Sequence, residues 1–221
     1  MKRAIIFDLD GTLIDSCGVC VAILSDMIAE RGLDHEIDLE EARSFMSRGG
    51  EHMVAALLGP ASKNSAADLV EFRARYQEKI TPAKALFDGV AAGLSELRDS
   101  GFTLAICSNK PQLLCEKALQ DTGIRNMFSV VVGGSPRLAP KPAPDLLQAA
   151  IAQLNVAHTS CIYVGDSELD HAVATAADIP FYFVSYGYAD RDWSPPVSQS
   201  FDCFTRMSRD LQRAWATVPI D

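Results

Sequence analysis

Positive charge is scarce in this chain. Lysine and arginine total 20 against 29 aspartates and glutamates, with only four histidines, giving a net charge of −9 and a pI near 4.9. That balance disfavours non-specific binding to nucleic acid or to an anionic membrane surface. An anionic substrate must then be drawn in by a local field, from a metal, a lysine or a helix N-terminus, against the global one. Long apolar runs are missing as well, and none reaches the length of a membrane span. The N-terminus leads straight into a short strand, without the h-region and cleavage site of a secretory signal, so a cytoplasmic location is expected. Also absent are a second CxxC and paired histidines at zinc spacing, which leaves Cys17-Gly-Val-Cys20 without the partners of a metal site. Cys17, Cys20, Cys107, Cys115, Cys161 and Cys203 are expected as reduced, mostly core residues rather than a disulfide framework. At 221 residues, with 48% hydrophobic and 22% charged, the chain suits one large domain or a domain with a smaller companion.

What is present is organised around Arg3 to Ser16, RAIIFDLDGTLIDS. Ala4-Ile5-Ile6-Phe7 has the composition of a strand buried on both faces. Asp8 and Asp10 follow it, two residues apart and so facing the same side of an extended segment. The carboxyl end of a buried parallel strand is where open α/β sheets bind ligands. Two carboxylates this close repel unless one is protonated or a cation lies between them, and a hard divalent ion such as Mg2+ is the natural partner. Taken alone, Asp10-Gly11 also reads as an Asx turn.

Beyond Ser16, which stands at an N-cap position, the apolar spacing from Val19 to Ile28 predicts a helix. Glu40 to Phe45, Glu51 to Leu58 and Ala66 to Ile80 make three more helical segments, with no strand-like alternation between them. This block reads as a small all-helical insertion closing near Thr81-Pro82. The second half alternates: helix Val90–Arg98, strand Phe102–Cys107, helix Pro111–Gln120, strand Phe128–Val132, helix Pro144–Leu154, strand Cys161–Val164, helix Glu168–Ala177, strand Pro180–Val184, and a terminal helix Ser208–Trp215. Such alternation implies βαβ units and a parallel sheet with helices on both faces. Arg191 to Gln199 (RDWSPPVSQ) reads as a Pro/Ser-rich loop.

Three further constellations fall at strand ends. Ser108-Asn109 follows the second core strand where a helix begins; taken alone it reads first as an ordinary helix cap, and its hydroxyl and backbone N–H groups also suit a phosphate. Lys141, in Ala-Pro-Lys-Pro-Ala-Pro-Asp, is either a solvated lysine or one that reaches back toward the strand ends. Gly165-Asp166-Ser-Glu-Leu-Asp170 sets a carboxylate at a strand end and a second one helical turn on, with Glu168 expected to be exposed. Asp8, Asp10, Asp166 and Asp170 would bring four negative charges together, which makes sense only as a cation site.

DLDGTLIDS resembles the first motif of the haloacid dehalogenase-like (HAD) phosphohydrolases, and the other three constellations match the remaining motifs in order. The resemblance covers nearly the whole chain. It implies a Rossmann-like α/β core, residues 1–14 and 84–221, with a helical cap inserted at 15–83. It also implies that Asp8 is a covalent nucleophile forming an aspartyl-phosphate. Asp10 is then the general acid and base, and Lys141 offsets the charge of nucleophile and phosphate. Ser108 and Asn109 hold the phosphoryl group, and Asp8, the backbone carbonyl of Asp10, Asp166 and Asp170 make up the Mg2+ site, Asp170 in it or just behind it. Sister families that cleave carbon–halogen or carbon–phosphorus bonds lack an aspartate at the position of Asp10, which argues against those activities; sugar-phosphate mutases keep both.

Ser108-Asn-Lys-Pro111, Lys141-Pro-Ala-Pro-Asp145 and Tyr186-Gly-Tyr188 are similar to the phosphoglycolate phosphatase branch. The expected partner is a small phosphorylated metabolite, with no nucleic acid or membrane, and the chain acts as a monomer or homodimer. Arg48, in Arg-Gly-Gly between two insert helices, is the candidate for the substrate carboxylate, since guanidinium suits planar bidentate partners. The rival reading is a non-catalytic binder that kept the fold, whose signature would be loss of Asp8, Asp10 or Lys141.

Overall fold

The computed structural model describes residues 3–190, 192–196 and 198–216; Arg191 and Val197 of the Pro/Ser-rich loop lie outside the described residues. Strand β1 (Arg3–Phe7) lies within a six-stranded sheet, with Ala4 through Phe7 fully buried. It pairs in parallel with β2 (Phe102–Pro111) on one side and β4 (Cys161–Gly165) on the other. Outward from these lie β3 (Val130–Gly134), then β5 (Phe181–Val184) and β6 (Ser200–Phe201), in the order β3-β2-β1-β4-β5-β6, every pairing parallel. β6 is only two residues long, too short to show a period in sequence.

Because side chains alternate along a strand, β1 feeds two cores. Ile5 and Phe7 pack with α5 (Val90–Asp99), α6 (Gln112–Asp121) and α9 (Phe204–Ala216). Ala4 and Ile6 pack with α7 (Asp145–Leu154) and α8 (Glu168–Ala176) on the opposite face. A fully buried Ile or Phe at such a position contributes about 1.5–3 kcal/mol. α9 begins at Phe204, four residues before the expected start, and Phe204 itself is a fully buried ring against Phe7.

Four helices between β1 and α5 make a third apolar cluster of their own: α1 (Cys17–Glu30), α2 (Leu39–Arg43), α3 (Gly50–Leu58) and α4 (Ser65–Glu78). Ile23, Leu24 and Met27 of α1 meet Val54 and Leu58 of α3 and Phe72 and Tyr76 of α4. Arg31 and Arg75 tie α4 to the end of α1 through Asp68, Glu71 and Glu30. Leu114 and Tyr188 join this cluster from the sheet side. Ser16 does occupy the N-cap of α1, yet its side chain makes no capping bond.

Candidate active site

The carboxyl ends of β1, β2 and β4 open toward the helical layer, and the motif residues collect there. The backbone N–H of Asp8 continues the ladder by donating to Val164 O at 2.9 Å, which fixes the side chain beside the loop after β4. Gly11 turns the chain with φ +85°, and a Cβ there would lie 2.2 Å from Asp166 Oδ2. Only glycine permits that approach. Asp8, Asp166 and Asp170 are all buried and can present oxygens within 4.8 Å of one another. The carboxylate of Asp10 is not among these three; it sits beside them, held by Lys110.

Each acid is oriented by different partners. Asp166 accepts from Thr12 Oγ1 and from the backbone N–H of Tyr188, both at 2.7 Å. Asp170 accepts from Lys141 Nζ at 2.6 Å and lies 3.1 Å from the Tyr163 hydroxyl. Its other oxygen takes the backbone N–H groups of Asp166 and Ser167, each at 3.1 Å, and Ser167 Oγ at 2.6 Å. Ser167 in return caps α8. With donors on both oxygens, Asp170 has little capacity left for direct metal ligation.

Lys141 is almost wholly buried, with Nζ 2.8 Å from Asp8 Oδ1 and 2.6 Å from Asp170 Oδ1, and it donates to the Tyr163 hydroxyl at 3.2 Å. Burial works against its charge, but Asp170 and Asp8 more than offset this and raise its pKa. Asn109 grips the lysine backbone, accepting from Lys141 N–H at 2.7 Å and donating to Lys141 O at 3.1 Å. The Asn109 amide is thus occupied in holding Lys141. Ser108 is buried and lines the cavity below.

The cluster is short of positive charge. Burial pushes the Asp8 carboxyl up to about 6 despite Lys141, and burial with Asp170 and Asp8 nearby carries Asp166 well above the carboxylate range. Asp8 Oδ1 lies at ion-pair distance from Lys141 but has no donor in hydrogen-bond geometry. A buried, under-partnered oxygen among all-oxygen donors fits a hard divalent cation.

A cavity of about 150 Å³ lies between these strand ends and the helical layer, lined by Asp8, Asp10, Ser108 and Lys141 below and by Gly49, Phe72 and Arg73 above. Arg48 does not line it. Its guanidinium lies 3.6 Å from Asp190 Oδ2, over the Phe45 ring and half exposed, in a separate groove. Three residues that line the cavity carry no site role in the sequence reading, Arg73, Lys110 and Tyr188, and Ser16, read there as an N-cap, lines it too. Lys110 Nζ lies 3.1 and 3.2 Å from the two Asp10 oxygens and 4.1 Å from the centroid of the Tyr76 ring. Their only sequence signal was Lys110 and Tyr188 standing inside the stretches that carried the branch resemblance.

This fold and this set of strand-end acids belong to a known class. Residues 5–184 match the family model of the haloacid dehalogenase-like hydrolases, and the chain belongs to that family. It is 37% identical over 194 residues to the phosphoglycolate phosphatase of Xanthomonas campestris pv. campestris, covering 87% of each chain. It is 35% identical over 196 residues to that of Rhodobacter capsulatus, covering 85% of this chain and 86% of the relative. The crystal structure of a predicted phosphoglycolate phosphatase from Haemophilus somnus superposes with a TM-score of 0.80 at 23% identity, over 95% of this chain and 98% of that one. The last comparison concerns the fold alone.

Proposed function

We propose that this chain is a Mg2+-dependent phosphomonoester hydrolase acting on a small phosphorylated metabolite, with 2-phosphoglycolate the favoured substrate. The observation that carries the reading is Asp8 at the end of β1, flanked by Lys141 and by Asp166 and Asp170, facing a small cavity. The relatives named phosphoglycolate phosphatase support the substrate.

Asp8 attacks phosphorus in line and the ester oxygen departs with a proton from Asp10, leaving an aspartyl-phosphate. Asp10 then removes a proton from the water that attacks this intermediate, and phosphate and free Asp8 are regenerated. Lys141 sits against Asp8 and offsets charge on the phosphoryl oxygens, with Ser108 donating to them. Asn109 and Asp170 act through Lys141, one fixing its backbone and the other its ammonium. Asp8, Asp166 and the backbone carbonyl of Asp10 would hold Mg2+, which when bound would supply positive charge between an anionic nucleophile and an anionic substrate. Helices α1–α4 serve as the cap that keeps bulk water from the intermediate. No helix among the described residues is long and apolar enough to cross a membrane, and the reading assigns the enzyme to the cytoplasm.

The test is Mg2+-dependent release of phosphate from 2-phosphoglycolate and from p-nitrophenyl phosphate. Release is expected on both, higher in kcat/KM on the first, and abolished by Asp8→Asn. Absence of release with Mg2+ present, or full activity in Asp8→Asn, would favour the non-catalytic binder.

A further inference from the structure

Lys141 donates to Asp170 and Tyr163 and lies at ion-pair distance from Asp8. The phosphate end of the cavity is therefore supplied with charge, and a second anionic group on the substrate needs another cation. Arg48 is turned away. Lys110 is the buried cation that remains, and it lines the cavity. Its contacts to Asp10, 3.1 and 3.2 Å, are longer than the ~2.7–2.9 Å of a tight charge-assisted bond. Lys141 by contrast holds its two acids at 2.8 and 2.6 Å. One carboxylate and one aromatic face do not exhaust the three donors of an ammonium.

A second observation comes from α1. Ser16 is fully buried, lines the same cavity, and its hydroxyl has no hydrogen-bond partner among the described residues. Buried hydroxyls are almost always partnered, so this one keeps its hydrogen-bonding capacity unspent within the protein. Ser16 and Lys110 both line this cavity, the one at the start of α1 and the other near the end of β2. The residues that α3 and α4 contribute to the cavity include no carboxylate, and Arg73 adds a further positive charge with no acid at ion-pair distance among the described residues.

We propose that Lys110 and the Ser16 hydroxyl form the subsite that binds the carboxylate of the substrate. This rests on the phosphatase reading and goes further, assigning the specificity for a two-carbon acid to residues near the end of β2 and at the start of α1 rather than to Arg48. Geometry limits the reach. Asp8 and Asp10 are two residues apart, no more than about 7 Å along an extended chain, so the cation touching Asp10 lies near phosphorus bonded at Asp8. The cavity volume of about 150 Å³ is of the order that accommodates benzene, which suits a two-carbon phosphate ester.

The test uses the full chain with Mg2+ and two non-hydrolysable ligands of equal length, 3-phosphonopropionate and propylphosphonate, titrated by calorimetry. The wild type is expected to bind the carboxylate-bearing ligand at least ~10-fold tighter. Lys110→Met should cut that preference by roughly 10–100-fold and Ser16→Ala by up to about 10-fold, while Lys110→Arg keeps most of it. Where Lys110→Met does not fold, Lys110→Gln and Ser16→Ala carry the same test. Equal weakening of both ligands, or no wild-type preference, overturns the subsite. If p-nitrophenyl phosphate is still hydrolysed in an Asp8-dependent way, the phosphatase reading survives that failure; if it is not hydrolysed, both fall.

Discussion

Replacing Asp170 by asparagine keeps the outline of the side chain and removes its charge. In the wild type one oxygen faces Lys141 Nζ and the Tyr163 hydroxyl, and the other faces two backbone N–H groups and Ser167 Oγ. An amide must turn its NH2 toward one of these sets. Turned toward the loop, it leaves two backbone donors facing donors; turned toward Lys141, it sets NH2 against a buried ammonium. Lys141 keeps Asp8 at 2.8 Å and the acid cluster loses one of its charges, so the cost is that of the mismatched buried hydrogen bonds, about 1–3 kcal/mol. In a chain of this size each kcal/mol moves Tm by about 2–4 °C, so the loss should be ~2–12 °C. Thermal unfolding in metal-free buffer reads that shift. Steady-state kinetics with Mg2+ should show kcat down by about 100-fold or more, because Lys141 loses the group that aims it. A Tm within about 2 °C of wild type and kcat within a factor of about 3, changes expected of an ordinary surface substitution, would refute the assignment of Asp170 as the anchor of Lys141.

Two more predictions concern the ion and the arginine. With no cation bound, the folded chain holds the Asp8 proton more tightly than the unfolded chain does, since burial lifts this carboxyl from 3.8 to about 6. In metal-free buffer its contribution to stability should decline as pH climbs through that window, and Mg2+ affinity should rise with pH by about tenfold per unit per proton released. A pH-independent Mg2+ affinity from pH 5 to 7 would contradict the buried-acid site. Arg48→Ala removes only a half-exposed contact to Asp190. It should change stability by less than about 1 kcal/mol and leave the ratio of kcat/KM for phosphoglycolate over ethyl phosphate unchanged; a selective tenfold loss would return Arg48 to the substrate.

The strand ends were legible because their signals are local. Ala4–Phe7 is uniformly apolar, and Asp8, Asp10 and the Asp166–Asp170 turn obey fixed spacings that strand and helix geometry translate directly into position. Lys110 and Tyr188 were not legible, since the partners that define them lie 100 residues away at Asp10 and 171 at Cys17. Ser16 looked like a cap, and only the structure leaves its hydroxyl without a partner. The family resemblance gives Asn109 a phosphate role; its amide grips the Lys141 backbone, a pairing across 32 residues that spacing does not reveal. The place of Arg48 has a simpler reason. Which way a long side chain leaves a glycine-flanked loop depends on the packing around it, here the Phe45 ring and Asp190.

Tyr188 uses its two ends differently. Its amide pins Asp166, and its hydroxyl donates to Asp15 and accepts from the Cys17 amide, at the doorway of α1. Any swing that carries Asp15 and Cys17 outward must snap those bonds or drag the amide off Asp166. In the enzyme proposed above, opening at α1 and release of the ion would be coupled through this one side chain.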